Sequence, residues 1–359
     1  MSKHSARSLT VEILTRVEKE GAYANVLLRN GLEELTDGRD RYLATALVNG
    51  TLKYRLLLDY ALRKFLTKPL SSLPYEVRGI LRSGAFQLLF LDKIPAAAAV
   101  SEAVELSKQL AGRYSALVNG ILRRVAAQGW NIAWPDVQRD AARYLSVRFS
   151  HPEWLVRRWL KRWGLEETEA LCRLNNEPAR TWVRVNRLKT ERTPLLNQWA
   201  AEGVVAEGGE RTPDSFVISG YGSLNRLDSF RQGLFSVQDE SSQLVAHIVN
   251  PQPGQRVLDA CGAPGGKSAH MAELMRNQGW IWAYDLHSSK LTLVEELTER
   301  LGVTIVETQQ GDARELPSVW ERTMDRVLVD APCSGLGVLR RKADLRWQRD
   351  EREIERLPV

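Results

Sequence analysis

Hydrophobic residues recur at helical spacing through the first third of the chain. Val77, Ile80 and Leu81 follow the i, i+3, i+4 rule of a single buried helix face. The tract RYLATALVNGTLKYRLLLDYAL repeats this pattern and carries Arg or Lys between the apolar positions. The pattern predicts an all-helical domain over residues 1–130.

In the middle of the chain, the spacing of hydrophobic residues changes twice. Periodicity weakens over residues 128–150, which predicts a linker. HPEWLVRRWLKRWG (151–164) then allows a helix with inward-facing tryptophans and an outward patch of four cations, Arg157, Arg158, Lys161 and Arg162. TWVRVNRLKT alternates in strand fashion, includes Arg184 and Arg187, and is followed by a helical stretch and FVISG. We therefore predict a small α+β module over residues 140–235. Its cations are candidate RNA contacts, and a solvated basic face on the 151–164 helix is the equally open alternative.

Short apolar runs alternate with helical patterns from Gly254 onward. The runs are RVLDA (256–260), WIWAYD (280–285), TIVET (304–308) and RVLVDA (326–331). SSKLTLVEELTERLG between the second and third runs predicts a helix capped by Ser288, stopped at Gly302, with Leu293 and Val294 on its apolar face. Alternating strands and helices predict a doubly wound, Rossmann-like parallel sheet over residues 236–359.

Composition narrows the class of protein. The formal net charge is +6, and residues 1–130 hold 19 Lys and Arg against 12 Asp and Glu, so a polyanion would bind at this end. No apolar run approaches a membrane span, and the first residues lack the apolar segment of a secretory signal. The three cysteines, at 172, 261 and 333, have no metal-ligand spacing, which favours a reducing, cytoplasmic compartment and no metal site.

The loop DACGAPGGK after the first run is the strongest local motif. A phosphate loop would require glycine at position 261, where Cys261 stands, and Ala263-Pro264 interrupts a dinucleotide fingerprint. A nucleotide-like cofactor without phosphates, S-adenosyl-L-methionine, fits such a loop best. Asp285 is placed to accept hydrogen bonds from ribose hydroxyls, Asp312 to contact adenine, and Asp330 to enter the same crevice.

Four segments together resemble the RNA cytosine-C5 methyltransferases of the RsmB/NOP family. They are DACGAPGGK (259–267), YDLHSSKL (284–291), QGDARE (310–315) and DAPCSGLGVLRRKADLRW (330–347). Residues 5–128 resemble the NusB-like helical RNA-binding domain that one bacterial branch of this family carries. The resemblance implies a multidomain protein that methylates C5 of a cytosine in 16S (small-subunit) ribosomal RNA. The expected fold joins the NusB-like domain, the α+β module and a Rossmann-like methyltransferase domain.

The resemblance also assigns residues. The methyl donor would be held by Cys261, Gly262, Ala263, Pro264, Gly265, Gly266, Lys267, Asp285, Asp312 and Asp330. Gly262 departs from the alanine common among relatives, a small-for-small change that we expect to leave the loop intact. From the reaction chemistry, Asp330 is the candidate to contact the target cytosine, and Arg340 and Arg341, close to Cys333 in sequence, join the candidate RNA contacts.

The chemistry needs a thiolate that adds to C6 of cytosine, so that C5 becomes nucleophilic. In this family the attacking cysteine lies in a Thr-Cys-Ser segment about 50 residues beyond the position of Asp330, and the Pro-Cys cysteine assists product release. Cys333 is therefore expected to serve release, and the attacking cysteine is absent from these residues. We interpret the sequence as C-terminally truncated, with an incomplete sheet.

Two other functions remain open. A DNA cytosine-C5 methyltransferase would use Cys333 as the nucleophile, although the NusB-like front and the residues after Pro-Cys disfavour it. A non-catalytic RNA-binding factor could retain the methyltransferase fold as a scaffold. Neither the target nucleotide nor the oligomeric state follows from the residues.

Overall fold

A computed structural model describes residues 5–357, which form two compact units. The first comprises the described residues up to Pro178 together with those from Ser334 onward, and the second runs from Ala179 to Cys333. The final segment, predicted to continue the methyltransferase domain, thus packs with the helices of the first unit.

The first unit is helical, which was predicted only for residues 1–130, whereas residues 140–178 were expected to belong to the α+β module. Its helices before Pro178 are α1 (Ala6–Glu20), α2 (Ala24–Gly31), α3 (Gly38–Lys53), α4 (Arg55–Arg63), α5 (Tyr75–Phe90), α6 (Ala96–Ala111), α7 (Ser115–Gln128), α8 (Ala141–Phe149) and α9 (Glu153–Leu174). Helix α5 is central because Val77, Ile80 and Leu81 are buried within one apolar cluster. Burial of that stripe, rather than helix propensity alone, holds these helices together.

Two predictions for the middle segment were wrong. Helix α8 occupies part of the predicted linker because Ala142, Leu145 and Val147 bury a face. Trp159 is buried, but Trp163 is 45% exposed. The helix breaks beside Trp163, at Gly164, whose φ of 75° is a left-handed conformation that glycine adopts readily.

The segment after Ser334 is anchored by one buried arginine. It contains the short helices α15 (Leu345–Gln348) and α16 (Glu351–Arg356). Arg346 donates hydrogen bonds to the carbonyl oxygens of Lys53, Ser150 and Asn175 at 3.2, 3.0 and 2.8 Å. These contacts join the segment to elements far away in sequence, so a boundary read along the chain missed them.

The second unit contains two four-stranded sheets. The first sheet comprises β1 (Thr181–Val185), β2 (Val205–Gly208), β3 (Ser215–Ser219) and β4 (Phe235–Val237) in the antiparallel order β2-β3-β1-β4. Its helices are α10 (Arg192–Ala201) and the short α11 (Asp228–Arg231). Trp199 is fully buried and packs edge-on against Phe216 and Phe235.

The second sheet is parallel, as the alternating pattern predicts. It comprises β5 (Arg256–Asp259), β6 (Trp280–Asp285), β7 (Val306–Gln310) and β8 (Arg326–Leu328) in the order β7-β6-β5-β8. Its helices are α12 (Glu240–Val249), α13 (Gly266–Leu274) and α14 (Ser288–Leu301). Strand β7 begins two residues later than predicted, and β8 ends at Leu328.

Two details of α14 differ from expectation. His287, not Ser288, is the N-cap residue, and Ser288 is the first helical residue. Leu293 is 45% exposed, because the buried stripe runs through Leu291, Val294 and Leu301. Gly302 ends the helix in a left-handed conformation, as predicted.

Within residues 5–357, no helix has the length and apolar character needed to cross a bilayer. The same residues contain no group of three or more His, Cys, Asp or Glu side chains placed to hold a metal ion.

Candidate active site

The glycine-rich loop lies across the carboxyl end of the parallel sheet, between β5 and α13. The Gly262 amide donates to the carbonyl oxygen of Tyr284 at 2.8 Å, and the Gly265 amide donates to Gly262 at 2.7 Å. A Cβ atom at Gly262 would lie 3.1 Å from Ala283. The loop therefore rests directly on β6. An alanine at this position would require a shift of a few tenths of an ångström, so it is less neutral than the sequence suggested.

Asp259, the first residue of the motif, is buried beneath this loop. Its Oδ2 atom accepts a hydrogen bond from Ser268 Oγ at 2.6 Å, whereas Oδ1 has no partner within the described residues. Burial raises the pKa of Asp259 to about 6, while Ser268 and Lys267 draw the pKa down. An unpartnered buried carboxylate oxygen beside a cavity is a polar group available to a ligand.

Lys267 and Asp330 form an ion pair at the same edge. The Asp330 side chain is 53% exposed and the Lys267 side chain 21%. Burial raises the pKa of the Cys261 thiol, and the carboxylates of Asp285, Asp259, Asp330 and Asp312 raise it further. The predicted strand-end carboxylates thus converge around Cys261, and they keep that thiol protonated.

A cavity of about 210 Å³ lies at this position. Of the predicted cofactor residues it is lined by Cys261, Gly262, Ala263, Pro264, Gly266, Lys267 and Asp330. Gln238, Ser242 and Asp259 also line it, although the sequence analysis assigned them no role. The position of Asp259 at the end of a buried strand could have identified it as a site residue from the sequence. Gln238 could be identified only from the tertiary structure, because it reaches the cavity through the packing of the two sheets.

Gln238 connects the loop to a buried ion pair. Its amide nitrogen donates to the Gly266 carbonyl oxygen at 3.3 Å, and its Oε1 atom accepts from Arg184 Nε at 2.8 Å. Arg184 in turn pairs with Glu273 of α13, and both side chains are 2% exposed or less. Arg184 is therefore a buried link between β1 and α13. The predicted RNA contact of Arg184 was wrong, because its side chain is buried and its charge is paired with Glu273 inside the protein.

Three predicted donor ligands lie outside the lining of this cavity, namely Gly265, Asp285 and Asp312. Asp285 Oδ1 accepts from the His287 amide at 3.1 Å. Asp312 forms a bidentate pair with Arg314, which lowers the pKa of Asp312 to about 2. Asp285 ends β6 and Asp312 lies two residues after β7, so both are at the carboxyl edge of the sheet near the cavity without lining it.

The three cysteines occupy different environments. Cys333 is exposed, Cys261 is half-buried and Cys172 is buried in the first unit. Burial raises the pKa of Cys172 to about 12, as expected for a packed helix residue. Only Cys333 combines exposure with a position just after a strand end of the parallel sheet.

The remaining candidate RNA cations lie on the surface in two settings. Arg158, Lys161 and Arg162 are exposed, whereas Arg157 pairs with Glu153 at 2.5 Å and Asp140 at 3.6 Å. The other candidate cations contact neighbouring protein groups. Arg187 lies 3.8 Å from the carboxylate of Asp214, and Arg340 donates a hydrogen bond to the Pro178 carbonyl oxygen at 2.7 Å. Arg341 is exposed and also contacts a protein group.

Three family models match successive parts of the chain. Residues 4–127 match the NusB family, and residues 151–225 match the ferredoxin-like domain of RsmF/B-like methyltransferases. Residues 246–359 match the 16S rRNA methyltransferase RsmB/F family. The models thus follow the predicted order of helical, α+β and nucleotide-binding segments.

Curated relatives match over nearly the whole chain. The probable ribosomal RNA small subunit methyltransferase B of Bacillus subtilis is 41% identical over 99% of this chain and 80% of its own length. The corresponding probable enzyme of Synechocystis is 36% identical over 98% of this chain and 80% of its own.

Solved structures give the same fold. The crystal structure of PH0851 has a TM-score of 0.79 at 25% identity, covering 98% of this chain and 80% of that one. NSun6 from Pyrococcus horikoshii, solved with SFG, has a TM-score of 0.52 at 23% identity over 57% of this chain and 76% of its own. With a NusB-like domain ahead of an RsmB/F methyltransferase domain, the chain belongs to the ribosomal RNA small subunit methyltransferase B family.

Proposed function

We propose that this protein transfers a methyl group from S-adenosyl-L-methionine to C5 of a cytosine in small-subunit ribosomal RNA. One observation carries the proposal. The glycine loop and the Lys267–Asp330 pair line one cavity, Asp285 and Asp312 lie at neighbouring strand ends, and Cys333 follows Asp330 by three residues.

The cavity suits this methyl donor. Asp259 offers an unpartnered buried oxygen, and the loop glycines leave room for close approach of a ligand to the backbone. Asp285 and Asp312 add acceptors for hydroxyl and amino groups, while the lining contains no cluster of cations for phosphates. When bound, the donor supplies an electrophilic methyl group on a sulfonium centre.

The cytosine chemistry assigns separate roles to Asp330 and Cys333. A thiolate would add to C6, and C5 would then take the methyl group as the sulfonium–methyl bond breaks and the neutral thioether leaves. Loss of the C5 proton to a general base would then expel the thiolate. Asp330 would support charge at N3 and the exocyclic amine, and its 53% exposure leaves it accessible to a flipped base. By resemblance, Cys333 would assist release of the product rather than attack C6.

A non-catalytic RNA-binding factor is the second candidate. It is favoured by the low reactivity of two thiols, since burial raises the pKa of Cys172 to about 12, and burial together with nearby carboxylates raises the pKa of Cys261. A DNA methyltransferase is disfavoured by the NusB-like helical unit.

The test compares wild type with Cys333→Ala in donor binding by calorimetry and methyl transfer to undermodified small-subunit RNA. A covalent RNA adduct that accumulates in Cys333→Ala would indicate attack by another cysteine. Loss of both methylation and adduct, with RNA and donor binding intact, would assign attack to Cys333. Donor binding without methylation in either protein would favour the non-catalytic factor, and absence of donor binding would contradict the proposal.

A further inference from the structure

Two neighbouring cavities open on the helical unit, apart from the candidate active site. The cationic cavity, of about 430 Å³, lies at the end of α4 and includes Tyr60, Arg63, Lys64, Gln128 and Arg143 in its lining. The aromatic cavity, of about 270 Å³, includes Tyr54, Leu57, Phe90, Trp130, Arg148 and Phe149. Neither contains a residue that the predicted chemistry uses.

The cationic cavity has no carboxylate in its lining. Arg63, Lys64 and Arg143 are all exposed, and none of them forms an ion pair with another described residue. The nearby Asp140 carboxylate accepts from the Arg143 backbone amide at 3.0 Å and lies 3.6 Å from Arg157. Three cations around one concavity create a positive potential that attracts an anion.

The aromatic cavity presents ring faces and edges. Trp130 is 46% exposed and stands edge-on to Phe90 at 4.9 Å, and Phe90 stacks on Tyr54 at 4.2 Å. Its one carboxylate, Glu177, lies 3.4 Å from Arg340. Exposed aromatic rings beside arginines are the chemistry on which unpaired nucleobases stack.

Shared elements place the two cavities side by side. Leu57 and Tyr60 lie about one turn apart on α4, each lining one cavity. Arg148 of the aromatic cavity lies 4.8 Å over Trp134, and Trp134 stacks on Tyr60 with an interplanar angle of 11°. A single strand could therefore meet both cavities with adjacent groups.

We propose that this face binds unpaired RNA, with a base in the aromatic cavity and backbone phosphates in the cationic cavity. The inference rests on the proposed function, because it gives the RNA substrate a second site on the helical unit. An acidic protein segment could meet the same cations. The adjoining aromatic rings favour a nucleic acid, because carboxylates gain little from ring faces.

The test measures binding of a labelled single-stranded oligoribonucleotide to the full chain by fluorescence anisotropy over a salt series. The variant Arg63→Gln/Lys64→Gln/Arg143→Gln should bind at least about tenfold more weakly, with a salt slope reduced by about two. Trp130→Ala should also weaken binding about tenfold, and Trp130→Phe should restore most of it.

Arg29→Gln/Lys93→Gln/Arg124→Gln is the matched control, since it removes three exposed charges of the same unit. If both triple variants weaken binding equally, general charge explains the effect and the site is overturned. An unchanged RNA affinity in Trp130→Ala would also overturn the site. So would binding of polyglutamate to the wild-type protein as tightly as RNA. Melting temperatures and donor affinity should match wild type in every variant. If wild type binds RNA and the methyl donor, and the variants bind RNA with the same affinity as wild type, this site is ruled out while the proposed function is not contradicted.

Discussion

Asp259 shows what burial does to a single ionisable residue. The carboxyl group lies under the glycine loop with one oxygen bonded to Ser268 and the other unpartnered. Burial raises its pKa from 3.8 to about 6. The folded state therefore holds a proton on this group more tightly than the unfolded chain does.

This shift predicts a pH dependence of stability. Between about pH 4 and 6 the folded state binds more protons than the unfolded state, so this residue's contribution to the free energy of unfolding falls as pH rises. Asp259→Asn cannot ionise and should escape this loss, which is roughly 3 kcal/mol at pH 7. Urea unfolding of donor-free protein at pH 4 and pH 7 measures it.

The control is Asp325→Asn, an exposed carboxylate of the same unit. A stability difference between wild type and Asp259→Asn that stays constant from pH 4 to pH 7 would contradict a raised pKa at Asp259.

Individual elements are joined by buried polar groups in both units. In the second unit, Arg184 of β1 pairs with Glu273 of α13 and bonds to Gln238, which reaches the loop at Gly266. The antiparallel sheet thereby supports the helix that begins at the glycine loop.

Removing one partner of this pair should cost more than removing both. Burial raises the pKa of Glu273 to about 7 and Arg184 draws it down, so Arg184→Met leaves this buried carboxyl unpaired and should lower local stability by up to about 3–5 kcal/mol. Arg184→Met/Glu273→Leu should recover much of that loss, because both charges are gone. Hydrogen exchange of amides in β1 and α13 gives the measurement. Equal loss of protection in the single and double variants would show that the ion pair has no coupling role.

In the first unit, Arg346 anchors the segment after Ser334 through several backbone carbonyl oxygens. Its burial lowers the pKa of Arg346 to about 10, so the side chain stays charged at neutral pH. Arg346→Met should release the segment and speed chymotryptic cleavage near Trp347 by at least tenfold, since charged hydrogen bonds are worth about 1.5–3 kcal/mol each.

Arg352→Met changes an exposed arginine of the same segment and should cleave at the wild-type rate. Equal cleavage of the Arg346→Met and wild-type proteins would rule out an anchoring role for Arg346.

At the scale of the whole molecule, the parallel sheet has an exposed edge. Strand β8 pairs with β5 only, among the described strands, and Val327 and Val329 beside it are 54% and 62% exposed. Unpaired strand edges with apolar side chains favour association between chains.

Charges at this edge should therefore reduce self-association. Val327→Lys/Val329→Glu keeps the net charge constant and should lower the weight-average mass seen by sedimentation at high protein concentration. Val205→Lys/Val237→Glu, on the antiparallel sheet, controls for lost apolar surface. Association that persists in the β8 variant but disappears in the control would place the contact elsewhere.

Local sequence determined the elements and most of the candidate site. Helical periodicity located α5, alternation with helices predicted the parallel sheet, and DACGAPGGK placed the loop between β5 and α13. Such features depend on neighbours within a few residues, so period and turn chemistry suffice to predict them. The exposed cationic face of α9 was also predicted from the sequence, whereas the break of this helix at Gly164 was not.

Only the tertiary structure decided which side chains meet. Arg184 carries the same charge as its exposed neighbour Arg187, yet a partner 89 residues away buries it against α13. Asp259 acquired its raised pKa, and Arg346 its carbonyl cage, from segments distant in the chain. Burial and electrostatic environment depend on long-range packing, whereas residue type and period are local. The sequence therefore determined the elements and the motif, and the fold decided which charges are buried and which remain exposed.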